Sequence, residues 1–196
     1  MIWKTILYGS FFVFTTACVH LNTIKMKPGE QRIGDMFVVL PEPCGEAYWQ
    51  KSPNRPGTKT EVWTRHNGEE QLLWIGPIKT GNALFDYAKH TPSPKFTDAL
   101  LGPEWPELLE RSFFHLSQGT LRFSEHRITP YHMSGRPAVR FEYIVITGDS
   151  QRYIKNAVMT VKQSTFYALV YSALETKQTN QCRKAFMSLS DGLSIL

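Results

Sequence analysis

The residues most able to do chemistry in this chain are its six histidines, its three cysteines and its scattered carboxylates. The histidines are His20, His66, His90, His115, His126 and His132. No two stand at the i,i+2 or i,i+4 spacing by which one strand or helix presents two imidazoles to a metal. His126 and His132 flank a segment containing Pro130. If that segment is a loop, the two could converge, and a carboxylate beside either would make an acid–base pair. The alternative is two surface histidines beside a turn. Glu69 and Glu70 fall in an expected turn, and Glu104, Glu107 and Glu110 line the first turns of an expected helix, where they complement its dipole. None of these forms an acid/base pair. The chain contains no GxSxG, GxxxxGK[ST], HExxH or GxGxxG. Cys44 and Cys182 find no third soft ligand at metal spacing, and there is no CxxC. No catalytic residue, metal, cofactor or ligand-binding residue is therefore assigned. Arg136, Arg140 and Arg152 form a candidate basic patch for an anionic glycan or lipid group, with a solvated sheet edge as the alternative.

The amino terminus carries an address. Lys4 gives a positive n-region, and residues 5–16 form a short apolar run. A bilayer span needs about 20 apolar residues, so this run reads as a signal peptide. Ala17 is small, and Cys18 follows directly. The stretch resembles a bacterial lipoprotein signal, in which the cysteine thiol is acylated and becomes the first residue. Thr15 stands where such signals usually carry Leu, and ordinary signal peptidase could cut the same segment, which would give a secreted or periplasmic protein. Acyl chains on Cys18 would anchor the chain durably, at about 0.8 kcal/mol per buried CH₂. Val19 after the cysteine, by resemblance to enterobacterial lipoproteins, implies the outer membrane. With Cys18 acylated, Cys44 and Cys182 remain as an even pair in an oxidising compartment. A bridge between them would close nearly the whole domain, at roughly 4–5 kcal/mol in the chain-entropy model. Two unpaired buried thiols are the other reading.

These features need elements to carry them. The 196 residues, 42% hydrophobic and 13% aromatic, suit one globular domain, with a formal net charge of +5. Residues 1–17 are read as the signal peptide, 18–34 as a lipid-anchored tether, and 35–196 as a single domain. Residues 35–40 are expected as a strand and 44–58 as a loop. Residues 59–65 and 71–75 flank Asn67-Gly68 as a hairpin, whose second arm Gly76-Pro77 should end. Residues 82–90 are expected as a short helix and 91–102 as a loop. Residues 104–118 form the best helix of the first half, with Trp105, Leu108, Leu109, Phe113 and Leu116 on one face and Gly119 as its stop. A half-exposed strand over 121–128 and a connecting loop over 129–135 follow. Residues 138–146, 153–161 and 166–173 read as a three-strand meander. Its last strand is apolar on both parities and so is covered on both faces. Residues 175–189 read as an amphipathic helix.

The specific signal lies in the final third: Gly135-Arg136-Pro137-Ala138 leading to Phe141-Glu142-Tyr143, then Tyr167-Ala168-Leu169-Val170-Tyr171, then a helix ending Phe186-Met187-Ser188-Leu189-Ser190. With the order of elements, this resembles the fold shared by the PsbP extrinsic protein of photosystem II and the Mog Ran-binding factor, a fold also found in bacterial envelope lipoproteins. The resemblance implies an α+β architecture, an antiparallel sheet flanked by helices in an α/β/α sandwich, and a noncatalytic, partner-binding role. No functional residue carries over.

The expected function is a noncatalytic binding or assembly module at the periplasmic face of the outer membrane, attached through acylated Cys18 and meeting an envelope protein partner. Such a module should expose an apolar or aromatic patch. A carrier of a lipid-like ligand would instead have a large apolar cavity between sheet and helix. An envelope hydrolase would have a concave site where His126 or His132 meets a carboxylate. Nucleic acid is not expected as a partner, because Lys and Arg are dispersed and the leader exports the chain.

Overall fold

The computed structural model describes residues 25–26, 29–33, 36–40, 49–52, 56–65, 69–86, 93–133, 135–176, 186 and 194–195. The strands are β1 (Lys25–Met26), β2 (Gly29–Ile33), β3 (Met36–Leu40), β4 (Trp49–Lys51), β5 (Thr60–Arg65), β6 (Glu70–Lys79), β7 (Arg122–Met133), β8 (Arg136–Ile146), β9 (Arg152–Lys162), β10 (Thr165–Leu174) and β11 (Ser194–Ile195). One α-helix, α1 (Trp105–Leu116), lies among the described residues. An eight-stranded sheet runs β1-β4-β5-β6-β10-β9-β8-β7, antiparallel at every pair, and a small sheet runs β11-β3-β2.

The meander forms where its alternation places it. Ser150 sits at φ +66° in the first turn, and Gln163 and Ser164 both take positive φ in the second, the geometry of a tight two-residue hairpin. β10 is buried from Phe166 to Ala173 because β6 and β9 flank it and both of its faces are covered. Phe166, Ala168 and Val170 join one core cluster. Tyr167, Leu169, Tyr171 and Ala173 join another on the opposite face.

The first cluster is roofed by α1. Pro106 fits its first turn, and Trp105, Leu108, Leu109 and Phe113 are buried against the sheet. Gly119, at φ +79°, follows its last turn. Leu116, expected on the buried face, is instead 37% exposed, as the last residue of the helix. On the opposite face Phe186, a helical residue, stacks on Tyr171 with ring centroids 5.2 Å apart. The rest of the helix expected over 175–189 lies outside the described residues, apart from Glu175 and Thr176, which are not helical.

Several expected loops are strands. In the expected tether, residues 29–33 form β2, whose polar side chains hide a ladder with β3. Within the expected loop 44–58, β4 pairs with β5. Residues 129–133 continue β7 through Pro130, which an edge strand tolerates. Gly76-Pro77 does not end β6. The step from Ile75 to Ile78 opposes the shorter step from Ala168 to Phe166, so the pair sits in a β-bulge that absorbs the missing proline N–H. Residues 82–86 are not helical. Phe96 N donates to Asn82 O, Ala83 bridges Lys95, and Leu84 and Phe85 are drawn into the core.

Candidate functional site

Beneath the second half of α1, the sheet holds titratable groups among aromatic rings. Glu110 comes from α1, His126 from β7, Tyr143 from β8 and Lys155 from β9. Tyr143 and Lys155 are register partners, so their side chains share the face that α1 covers. His126 reaches that face because of a second bulge. Ser124 pairs with Ile144 and Arg127 with Glu142, so β7 carries one extra residue between them. The insertion reverses the strand's parity and turns His126 towards the helix.

His126 Nε2 lies 3.0 Å from Glu110 Oε1. That oxygen accepts no hydrogen bond, so this is a close polar contact and not a hydrogen bond. The His126 ring meets Phe141 edge-on at 5.7 Å, and Phe141 stacks on Tyr143 at 4.4 Å. Burial raises the Glu110 carboxyl above the usual carboxylate range. His126 opposes that shift and Glu107 adds to it. The Tyr143 hydroxyl is buried without a hydrogen bond, and burial, then the Glu110 charge, push it well above the ordinary phenol value. Half-buried Lys155 places Nζ 4.3 Å from the Phe113 ring centroid, and loss of water lowers it to about 8.

These groups bring the helix against the sheet edge. Hydrolysis would need a nucleophile hydrogen-bonded to a base, with donors aimed at a developing oxyanion. Among the described residues no hydroxyl is hydrogen-bonded to His126. Among them, no group of three or more His, Cys, Asp or Glu is placed to hold a metal, and no helix is long and apolar enough to cross a membrane.

A cleft of about 520 Å³ opens elsewhere, between residues 93–100 and the outer flank of α1's first half. Leu100 and Leu108 line it together with Lys95, Glu104, Glu107 and Arg111. It is neither apolar throughout nor between sheet and helix, as a lipid carrier's cavity was expected to be.

The residues singled out from the sequence are scattered over the fold. Cys18, Cys44 and Cys182, with His20, His66 and His90, lie outside the described residues. His126 and His132 do not converge across a loop. They lie six residues apart on one strand, roughly 20 Å at strand rise. Arg136, Arg140 and Arg152 do not form one patch. Arg136 is at the β7–β8 hairpin tip and Arg140 lies 4.4 Å over the Tyr131 ring. Arg152, opposite Ile146 at the far end of β8, pairs with Glu175 at 2.5 Å. Glu70 is not in a turn. It opens β6, buried against Arg65 at 2.5 Å. Sequence reasoning missed Lys155 and Tyr143, although parity held the signal: Tyr153, Lys155, Ala157, Met159 and Val161 face one way, so the lysine points inward with them.

Comparison with solved structures bears on the fold. A cyanobacterial PsbP (CyanoP) from Synechocystis sp. PCC 6803 superposes with a TM-score of 0.59 at 14% identity, covering 87% of this chain and 95% of that one. The fold is PsbP-like: α+β, with a predominantly antiparallel sheet flanked by helix. Two further chains align at lower scores. One is a Pseudomonas aeruginosa protein of unknown function, with a TM-score of 0.42, 11% identity and coverage of 85% and 96%. The other is LpqN, involved in cell envelope biogenesis of Mycobacterium tuberculosis, with a TM-score of 0.33, 12% identity and coverage of 90% and 91%. No protein-family model matches the chain, and no curated protein sequence matches it.

Proposed function

We propose that the chain is an envelope lipoprotein, cut after Ala17 and held through acylated Cys18 at the periplasmic face of the outer membrane. Its domain works there as a noncatalytic binding or assembly module for an envelope protein partner. Cys44 and Cys182 pair in this reading. The leader supports the address. The observation that carries the binding role is the outward side of α1. Phe114 stands there, opposite the buried stripe of Leu109 and Phe113, and is 46% exposed, while the titratable cluster lies beneath the same helix. The outward face of a helix that meets only water is usually polar, and a large aromatic ring there is available to a partner.

The hydrolase reading draws on the His126–Glu110 contact, but Glu110 is largely withdrawn from water and His126 is 42% exposed with no hydrogen-bonded nucleophile among the described residues. Two measurements test the proposal. Mass spectrometry of the amino terminus should find Cys18 first and acylated. Affinity purification from detergent-solubilised envelopes should recover a partner with the native chain and lose it with Phe114→Asp. An intact Met1 in the cytosolic fraction would sink the reading.

A further inference from the structure

β7 ends the eight-stranded sheet, so among the described residues one side of its backbone has no strand beside it. Bare edges of this length tend to recruit another strand. Two features of β7 oppose that. Pro130 supplies no N–H in the second half of the strand, and the bulge between Ser124 and Arg127 breaks the register a partner would follow. The edge therefore acts through its side chains. Ile128, 47% exposed, and exposed Pro130 stand on the α1 side, opposite Phe141 and Val139. Exposed His132 and Pro137 continue that side. Exposed Arg127 and Arg136 stand on the other side, at the two ends of the apolar stretch. The acids nearby are Glu142, opposite Arg127, and Glu110, which faces His126.

We propose that this edge, residues 127–133 and 135–137, is a docking surface for an anionic lipid headgroup layer, with Ile128 and Pro130 entering the interface and Arg127 and Arg136 meeting phosphates. Guanidinium matches phosphate in fork geometry. An apolar centre rimmed by cations is the pattern of interfacial membrane contact. An acidic protein segment would satisfy the arginines equally well, but the natural way for an extended segment to cover Ile128 and Pro130 is strand addition, which the proline and the bulge oppose. This lipid contact requires neither the acyl chain nor the protein partner proposed above.

The test is hydrogen–deuterium exchange on the full chain carrying Cys18→Ser, titrated with vesicles of phosphatidylcholine alone or mixed with phosphatidylglycerol. Exchange across residues 127–133 and 136–138 should slow on the mixed vesicles and not on phosphatidylcholine, and the protection should fade as salt rises. Each cation at an anionic surface is worth roughly fivefold in partition, so Arg127→Gln with Arg136→Gln should raise the lipid concentration for half-protection about 25-fold. Both side chains are exposed, so the fold tolerates the change. Ile128→Asp, a second variant, should also lose the protection. Unchanged exchange on mixed vesicles, or equal protection on phosphatidylcholine, overturns the proposal. Equal protection by poly-glutamate in solution overturns it in favour of an acidic polymer.

Discussion

Arg65 and Glu70 are register partners on the rung that closes the β5–β6 hairpin, with Nη2 2.5 Å and Nε 2.6 Å from the same carboxylate oxygen. Their side chains are only 4% and 10% exposed, and Arg65 also stacks 4.7 Å over the Trp49 ring. A pair so far from water depends on both members. Arg65→Met or Glu70→Leu alone leaves a buried charge without its counterion and should cost about 3–5 kcal/mol in urea unfolding. The double variant should recover most of that loss, since two apolar side chains leave nothing uncompensated. Equal losses in the single and double variants would show that the pairing does not matter.

Lys155 gives stability a pH dependence. Burial lowers its folded pKa to about 8, whereas the unfolded chain titrates at 10.5. Between those values the unfolded state binds more protons than the folded one, so stability rises with pH across that window. Below about pH 8 both states are protonated, and the cost of holding the ammonium out of water is felt in full. Lys155→Met keeps an apolar side chain over Phe113 and removes that cost. Its melting temperature at pH 7 should rise by roughly 2–4 °C, and the alkaline increase should disappear from the pH profile. A lower melting temperature would mean that the cation–ring contact outweighs desolvation.

Asn156 is fully buried, and neither amide atom makes a hydrogen bond. It faces Tyr171 across one ladder and Glu142 across the other. A buried polar group left unsatisfied costs about 1–3 kcal/mol. Asn156→Leu, close in volume, should therefore stabilise the protein by about that amount in chemical denaturation. A destabilised variant would reveal a role for the amide that its geometry does not display.

Gly76 takes φ +138°, and a Cβ there would stand 2.9 Å from the Tyr167 ring and 3.2 Å from Phe166 O. Gly76→Ala should destabilise by about 1–3 kcal/mol, the scale of a residue forced into backbone space it avoids. Gly81→Ala is the control. Its φ is +82°, but nothing lies within 4 Å of its added carbon, so it should cost less.

The meander and α1 were legible in the sequence because each carries its own period. Alternation marks β8 and β9, apolar continuity marks β10, and Leu108, Leu109 and Phe113 repeat at helical spacing. Segments whose order comes from a distant partner were not legible. β2 is polar and exists through its ladder with β3, and residues 82–86 are held by Phe96 and Lys95 and not by local propensity. The Glu110–His126 contact was hidden for a sharper reason. One inserted residue reverses the faces of β7, so the alternation read forward from Phe123 places His126 on the wrong side. No single-strand pattern records an insertion that is defined by the neighbouring strand.

β10 sits between β6 and β9, so the last long strand of the sheet to be synthesised is the one that joins the two halves. Until it leaves the ribosome, β6 has β5 on one flank and nothing on the other, and Leu72, Leu73, Trp74 and Ile75 have no lasting cover. Assembly waits on a contact between distant parts of the chain, which is slow and leaves sticky intermediates exposed. A polypeptide of this topology is therefore expected to close its sheet only after nearly its whole length is available.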